Sequence, residues 1–231
     1  MKRKREALGR ERIVQAALAL IERDGLPEFS TRKLGAELGC EAMSIYHFFP
    51  SKRHLLDALV DHAVASIAMP DRALPALERV RRLAYAYRAM AHRYPRLYSL
   101  VAVHRLNTAV GVRFIEAVLG MAREATGDDE SAARLFRAVG YYLTGAAIDE
   151  TAGYAKGPSA ADPVGNDLIE KECPLLLRCA RYFQRPEWDK TFVLGLEALM
   201  AASPARASRK RRRPGRGRKG SPTRRRAPRA R

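Results

Sequence analysis

The chain carries apolar residues at the intervals of α-helices along most of its length. Apolar positions recur three and four residues apart in a first helix that ends at Gly25, a second that ends at Gly39, and a fourth that begins near Ser51. Ser30 or Thr31 caps the second helix, and a short third helix is predicted from about 42 to 48. The residues that set these periods are Ile13, Ala16, Ala17, Leu20 and Ile21, then Leu34 and Leu38, then Leu55, Leu56, Leu59, Val60 and Ala63.

A second group of helices follows the breaker segment MPDRALP. The pattern predicts helices over about 74–94, 96–105, 107–126, 131–156 and 186–202, and one over 165–184 that Pro174 kinks. No segment alternates apolar and polar residues as a strand does, so the predicted fold class is all-α. The predicted organisation is an arm at 1–9, a helix-turn-helix domain at 10–66, a larger helical domain at 72–202 and a tail at 203–231.

The last predicted helix contains the segment VLGLEALM, which is apolar on nearly all sides. A helix with this pattern is either central in a core or shared with a second chain. Because the segment lies near the end of the folded part of the chain, a subunit interface is favoured, and an arginine at Leu196 would test it. Packing within the chain is the alternative.

The positive charge of the chain is concentrated at its end. The formal net charge is +18, and residues 203–231 hold fourteen Lys and Arg and no acidic residue. The preceding 202 residues hold 29 basic and 25 acidic residues and are only mildly basic. Because the tail is also rich in Pro, Gly and Ser, it is predicted to be disordered and to bind a polyanion. A second basic segment, MKRKREALGRER, either reaches neighbouring DNA or serves only as a solubilising end.

Several classes of protein do not fit the sequence. It has no run of eighteen apolar residues and no signal-peptide core, so we expect a cytoplasmic protein without a membrane span. Three cysteines without a CxxC pair suggest neither a disulfide framework nor a zinc site. Glycine-rich phosphate loops, a GxSxG turn and an HExxH helix are missing from the sequence, so no enzyme, cofactor or metal site is predicted.

The segment STRKLGAELGCEAMSIYHFF contains two short helices joined by a tight turn. This is the spacing of a helix-turn-helix, whose second helix enters the DNA major groove while the first crosses the backbone. From Ile13 to Val60 the sequence resembles the DNA-binding domain of the tetracycline-repressor (TetR) family, through FSTRKLGAELG and SIYHFFPSKRHLLDAL. The resemblance implies that the rest of the chain is a helical ligand-binding and dimerisation domain.

The resemblance extends to individual positions of the motif. The matching positions are Ser30 and Thr31 at the start of the second helix, Ile45 and Tyr46 in the recognition helix, and Ser51 and Lys52 at the start of the fourth helix. The family commonly has a histidine where this chain has Phe48. His47 lies one position earlier, about 100° away around the helix, so the family's phosphate-binding role does not transfer to it.

The candidate DNA-binding residues fall into two groups by their chemistry. Cations and free amides at helix N-termini bind phosphate oxygens, whereas side chains on the front of a recognition helix meet base edges or thymine methyls. The phosphate group is Thr31, Lys33, Tyr46 and Lys52, and the base group is Glu41, Ala42, Met43, Ser44 and His47. Arg32 also belongs to the predicted DNA-binding set, without an assigned role. Phe48 is included in the site without a defined role, and Ile45 and Phe49 are predicted to be core.

The larger domain has acidic residues at positions that helical periodicity would bury. Asp149 lies in line with Leu135 and Tyr142, and Glu150 extends a neighbouring apolar stripe. A buried carboxylate needs a partner or water, so either a partner such as His92, His104 or Arg105 forms an internal ion pair with it, or a ligand cavity keeps it hydrated. An acid at the exposed end of the helix is a further alternative. The candidate ligand-binding residues, some of which are also candidate ion-pair partners, are His92, His104, Asn107, Tyr141, Tyr142, Thr144, Asp149 and Glu150.

These features predict a homodimeric transcriptional regulator, a repressor rather than an activator, that binds double-stranded DNA at a palindromic operator and responds to an unknown small molecule. Dimerisation is expected through the long C-terminal helices, and the protein is expected to be associated with the bacterial nucleoid. The alternative is an architectural DNA-binding protein that uses its arginine-rich tail without sequence preference. Preference for a short palindrome over random duplex distinguishes the two.

Overall fold

The computed structural model describes residues 7–152 and 159–202, and these residues form helices, turns and loops without a strand. The all-α fold class, with an N-terminal helix-turn-helix domain and a larger helical domain, is therefore confirmed. The predicted disorder of the tail concerns residues outside the described ranges. The helices are α1 (Arg10–Asp24), α2 (Thr31–Leu38), α3 (Ala42–Tyr46), α4 (Lys52–Ala65), α5 (Ala76–Arg93), α6 (Tyr98–Val103), α7 (Ala109–Thr126), α8 (Asp129–Ala152), α9 (Asn166–Glu172), α10 (Pro174–Ala180) and α11 (Trp188–Ala202).

The ends of the first helices follow from local chemistry. The Ser30 hydroxyl accepts a hydrogen bond from the Lys33 amide at 3.2 Å and caps α2, which resolves the choice between Ser30 and Thr31. Gly39 ends α2 with φ of 68°, a left-handed conformation that glycine adopts without the strain of a Cβ atom. Ser51 caps α4 by accepting from the His54 amide. Ser30 and Ser51 thus define the starts of α2 and α4, and Gly39 begins the turn between α2 and α3.

The N-terminal domain is held together by apolar side chains from all four of its helices. Ile13, Leu34, Ile45, Leu55 and Leu59 have no exposed surface, and they pack in one continuous core. The backbones of α2 and the following turn also approach closely, since a Cβ atom on Gly35 would lie 2.7 Å from the carbonyl oxygen of Cys40. The core thereby sets the angle between α2 and α3.

The larger domain is built around α5, α7 and α8, which pack extensively against one another. The turn between α7 and α8 is only Gly127 and Asp128, so the two long helices run antiparallel. Gly127 has φ of 98°, and the Asp128 carboxylate accepts from the Ser131 amide at 2.8 Å at the start of α8. None of the helices within the described ranges is long and apolar enough to cross a membrane.

Three carboxylates of the N-terminal domain bind the larger domain. Glu22 of α1 accepts hydrogen bonds of 2.9 and 3.2 Å from two backbone amides at the start of α6. Asp57 of α4 lies 2.9 Å from Nε2 of His104, and Asp61 accepts from the hydroxyl of Thr108. These last two contacts connect the segment between α6 and α7 to α4, so we expect the two to move together.

The segment predicted as one kinked helix at 165–184 is instead two short helices and a 3-10 turn, Arg181–Phe183, and a second 3-10 turn, Arg185–Glu187, follows it. Cys173, with φ of −125° and ψ of 47°, leaves the helical conformation between α9 and α10. Pro174 then opens α10, where its missing amide hydrogen costs no intrahelical bond. Proline at this position starts a new helix, so the prediction of a kink was wrong.

Helix α11 has apolar side chains both in the core and on the surface. Phe192, Leu196 and Met200 are at most 2% exposed within their own chain, whereas Val193 and Leu194 are 40% and 74% exposed. Leu196 is therefore a core residue, and its choice as the position to test a subunit interface was wrong. The exposed face of α11 is marked by Leu194.

Trp188, the single tryptophan of the chain, stands at the start of α11. Its Nε1 donates to the carbonyl of Phe183 at 3.2 Å, and its ring centroid lies 6.3 Å from that of His92 on α5. These contacts place the indole where α5, α11 and the turns before α11 meet.

Candidate functional site

The second helix of the motif presents its front to solvent. Met43 is 66% exposed although it is apolar, and Glu41 and His47 are also exposed, while Ala42 and Ser44 are half-buried. Ile45 on the opposite side is fully buried. Of the residues predicted to meet base edges, Glu41, Met43 and His47 are thus accessible and Ala42 and Ser44 partly so, whereas Ile45, which is predicted to be core, is buried.

The residues predicted to bind phosphate lie around the start of α2. Arg32 and Lys33 are exposed, and the Thr31 hydroxyl lies 3.2 Å from the hydroxyl of Tyr46, which joins α2 to α3. The Lys52 ammonium donates to the carbonyl of Phe29 at 2.9 Å. Lys52 therefore also holds the loop before α2 against α4, a role that the sequence did not indicate.

Phe48 and His47 have different environments. Phe48 is half-buried and packs against the core, and its carbonyl accepts a hydrogen bond from the guanidinium of Arg10. Arg10 also lies over the Phe49 ring, 4.2 Å from its centroid. The first residue of α1 is thus tied to the end of the recognition helix, whereas the His47 side chain is exposed.

An apolar cavity of about 430 Å³ lies among α5, α6, α7 and α8; it is called the α5–α8 cavity below. Tyr141 and Thr144 of the predicted ligand-binding set line it, and Tyr87 was missed because its position fits an ordinary core stripe of α5. The lining residues are Val80, Leu83, Ala84, Tyr87, Ala102, Leu106, Phe114, Ile115, Val118, Ala122, Leu135, Phe136, Arg137, Val139, Gly140, Tyr141, Leu143 and Thr144.

Glu150 is 5% exposed and lies in an ion-pair cluster that joins three helices. Nε and Nη2 of Arg88 on α5 donate to its two oxygens at 2.7 and 2.9 Å, and Nε2 of His92 lies 2.6 Å from the same carboxylate. Nη1 of Arg88 donates to Asp189 of α11 at 2.7 Å. The sequence left open whether a buried carboxylate here would form an internal ion pair or face a ligand cavity. Glu150 forms the internal ion pair. Arg88 was missed because an arginine on an amphipathic helix is ordinarily a surface residue.

The predicted ligand-binding residues do not meet in one cavity. Tyr142, Asp149 and Glu150 border a second cavity of about 630 Å³ between α8 and α11, called the α8–α11 cavity below. The Tyr142 hydroxyl donates to the Phe192 carbonyl at 2.8 Å, and burial, with Glu150 nearby, raises the pKa of this phenol. His104 and Asn107 border a third cavity, next to α4. Within residues 7–152 and 159–202, no group of three acidic, histidine or cysteine side chains is placed to hold a metal ion.

Two short helices set at a tight turn, with an exposed second helix, define a helix-turn-helix protein of the DNA-binding class. Residues 13–59 match the family model described as bacterial regulatory proteins, tetR family, and residues 74–202 match the tetracyclin repressor-like C-terminal domain. The chain belongs to the TetR family of bacterial transcription regulators. Since members of this family are regulators and not catalysts, the chain is not expected to be an enzyme.

Individual relatives agree with this assignment over most of the chain. The tetracycline repressor protein class D of Escherichia coli is 29% identical over 200 residues, which cover 84% of this chain and 88% of the relative. One solved structure is of a protein from Streptomyces coelicolor A3(2) described as a possible TetR family transcriptional regulator. It has a TM-score of 0.69 at 26% identity, and the match covers 88% of this chain and 100% of that chain. The TetR family protein ActR of Streptomyces coelicolor, solved in complex with actinorhodin, has a TM-score of 0.70 at 23% identity, over 87% of this chain and 99% of that chain. At that identity the likeness to ActR concerns the fold alone.

Proposed function

We propose that this protein is a ligand-responsive repressor that binds a palindromic operator as a homodimer. The observation that carries the proposal is the exposed part of α3, where an apolar side chain, Met43, is 66% exposed to solvent. An accessible methionine on a helix of groove-reading geometry fits contact with thymine methyl groups and base edges. Glu41, Ala42, Ser44 and His47 complete the base-reading face.

Affinity comes from groups that meet the phosphate backbone. Thr31, Arg32 and Lys33 stand at the N-terminus of α2, where free amides and the helix dipole favour an anion. Tyr46 reaches phosphate beside Thr31, and the Lys52 ammonium adds a cation at the same surface. These contacts set the register of the motif on DNA, while α3 sets the sequence preference.

A second copy of the chain is proposed to cover the exposed apolar side chains of the long C-terminal helices. Leu194 and Val193 on α11 and Tyr141 and Ile148 on α8 are each at least 40% exposed. A two-fold dimer through these helices buries these side chains. It also fixes the distance between the two recognition helices, which the two half-sites of a palindromic operator match. The repressor named among the relatives supports the repressing direction.

The small-molecule effector is proposed to bind in the α5–α8 cavity. Leu106, which lines this cavity, lies in the segment between α6 and α7 that His104 and Thr108 tie to α4. A ligand that favours one position of this segment therefore favours one position of the DNA-binding domain, through its different affinity for the two states. That ActR was solved with a bound small molecule supports an effector of this kind.

The arm at 1–9 and the tail at 203–231 lie wholly or largely outside the described ranges, and their proposed role rests on their charge. Fourteen basic residues in the tail favour duplex phosphate without sequence preference. We expect the protein to act in the bacterial cytoplasm at the nucleoid, where its operator lies.

Footprinting on the intergenic DNA beside the protein's own gene tests the proposal. We expect a protected palindrome that binds at least about a thousandfold more tightly than random duplex at physiological salt. Equal affinity for the palindrome and random duplex would instead favour an architectural protein driven by the tail. Repeating the footprint with candidate small molecules shows whether protection is lost on ligand binding.

A further inference from the structure

The α5–α8 cavity carries information about the chemistry of its ligand. Its walls are formed mainly by apolar side chains of four helices and of the segment between α6 and α7, among them Leu83, Ala102, Leu106, Phe114 and Val118. A volume of about 430 Å³ lies in the range of sites for small drug-sized molecules. We propose that this cavity binds a neutral, mostly apolar molecule built on fused rings, with one hydrogen-bonding group directed at Tyr87 and Thr144. The inference rests on the proposed function, because it names the ligand class of the proposed effector site.

The charge of the lining excludes an ionised group inside the cavity. Among the described residues that line it, none is acidic, and the cation is Arg137. Arg137 is exposed, stacks on Tyr141 at 4.5 Å from its ring centroid, and donates to the Tyr141 hydroxyl at 2.6 Å. The guanidinium is therefore held at the surface. A charged group that entered further would lose water and meet no opposite charge, which is strongly unfavourable.

The polar part of the lining is a cluster of hydroxyl groups. The Tyr87 hydroxyl lies 3.1 Å from the hydroxyl of Tyr98, which is fully buried behind it and also interacts with the Thr144 side chain. Burial raises the pKa of Tyr98, so this phenol stays neutral at physiological pH. A cluster of neutral hydroxyls donates to or accepts from a ligand hydroxyl or carbonyl group without requiring a charge on either side.

The aromatic residues of the lining favour a ring system in the ligand. Tyr87, Phe114 and Phe136 come from three different helices and border the same space. Aromatic side chains gain energy from tilted or offset contacts with another ring, beyond the burial of apolar surface. A flat fused-ring molecule meets all three walls at once, whereas a compact polar metabolite leaves them unfilled.

Three phenanthrene probes test the ligand class on the full chain: 9-hydroxyphenanthrene, phenanthrene and phenanthrene-9-carboxylate. Their own fluorescence reports binding. We expect the hydroxylated probe to bind most tightly and the carboxylate at least about tenfold more weakly. Tyr87→Phe and Thr144→Val should each weaken the hydroxylated probe about threefold to tenfold, the usual value of one hydrogen bond, and leave phenanthrene within about twofold.

Two helical glycines provide a matched pair of variants. A Cβ atom on either Gly140 or Gly120 would have no neighbour within 4 Å, but Gly140 lines the cavity and Gly120 is exposed on α7. Gly140→Leu should abolish binding of the hydroxylated probe, and Gly120→Leu should retain it. Retention in Gly140→Leu would place the probe elsewhere, including the α8–α11 cavity, and would overturn the inference.

Binding of the carboxylate as tight as that of the hydroxylated probe would also overturn it. Operator binding is measured in the same samples, so that failure of the proposed function remains distinguishable. If the probes bind as expected and protection of the palindrome is absent or does not respond to them, the proposed regulation fails while the ligand class stands.

Discussion

His47 and Phe48 are adjacent in the sequence but have separate tasks. Phe48 packs against the core and its carbonyl is held by Arg10, so its side chain contributes to the stability of the recognition helix. The His47 side chain is exposed, and it is one of the side chains proposed to read bases. The histidine therefore points in a different direction from the one that the family resemblance implies, and a contact with a base edge is the role proposed for it.

His47→Ala is expected to change operator preference without unfolding the protein. Loss of a base contact should weaken the correct operator by about 5-fold to 150-fold, which corresponds to about 1–3 kcal/mol, and leave random duplex binding nearly unchanged. Phe48→Ala serves as the contrast, since it should lower the free energy of unfolding by about 2 kcal/mol. Competition binding and urea unfolding measure the two effects. Equal weakening on operator and random DNA by His47→Ala would argue for a phosphate contact.

Glu150 shows how one buried carboxylate joins α5, α8 and α11. Its replacement by alanine removes the bidentate partner of the Arg88 guanidinium and leaves it with the exposed Asp189 and the face of Phe192, in a site where Arg88 is 12% exposed. We expect Glu150→Ala to lower the free energy of unfolding by about 3 kcal/mol. Glu130→Ala on the same helix removes an exposed pair with Arg134 and should cost less than about 0.5 kcal/mol. Similar unfolding midpoints in urea for the two variants would contradict a stabilising role for the cluster.

At the scale of elements, the helix-turn-helix depends on the close approach of α2 to the turn that follows it. The close approach occurs at Gly35, where the neighbouring atoms belong to the backbone of Cys40 and Ala42 and cannot rotate away. The angle of the recognition helix is thus set by a residue that makes no DNA contact. A side chain at Gly35 pushes α3 away from α2 and moves the whole base-reading face.

Gly35→Ala is expected to lower the free energy of unfolding by about 1–3 kcal/mol, because the new methyl group meets backbone atoms. Operator affinity should fall as well. Gly120→Ala is the matched control in a helix, where open space makes the change neutral or stabilising by up to about 1 kcal/mol. Thermal unfolding measures the stability of both variants, and titration with operator measures their DNA affinity. Wild-type values for Gly35→Ala would show that the turn can relax around the methyl group.

The elements that sequence predicts well are those with local causes. Helical periodicity, Ser30, Gly39 and Ser51 determine α1 to α4, and the structure has them close to the predicted bounds. Long-range pairings were harder to predict. His92, a predicted ion-pair partner, does contact Glu150, but Arg88 was not predicted. Arg88 lies 62 residues away in sequence, and nothing in its own segment distinguishes it from a surface arginine. The burial of Leu196 also depends on which neighbour α11 meets, which periodicity alone does not show.

At the scale of the whole molecule, the exposed apolar face of α11 gives a test of the proposed dimer. Leu194→Arg should weaken dimerisation at least about tenfold, since a charge in an apolar interface is costly, and leave the fold intact because residue 194 is 74% exposed. Val112→Arg, on the 49% exposed Val112 of α7, is the control. Sedimentation across a dilution series measures both. An unchanged dimer for Leu194→Arg would place the interface on another surface.

The tail predicts a property of the complete complex with DNA. Removal of residues 203–231 should reduce the slope of log affinity against log salt by about 0.9 for every phosphate that the tail neutralises. The preference for operator over random duplex should increase or stay the same. A control tail of equal length with its fourteen basic residues replaced by glutamine should behave like the truncation. An unchanged slope in a titration from low to moderate salt would show that the tail does not touch DNA.

Trp188 gives the protein a built-in optical reporter. Because it is the single tryptophan, all indole emission comes from the point where α5 and α11 meet, beside His92 and bonded to the Phe183 carbonyl. Detachment of α11 would expose the ring to water and shift its emission to longer wavelength. A change confined to α3 would leave the emission unchanged. The tryptophan emission after stopped-flow mixing with effector or operator therefore measures the rate at which the junction of α5 and α11 moves, without any attached dye.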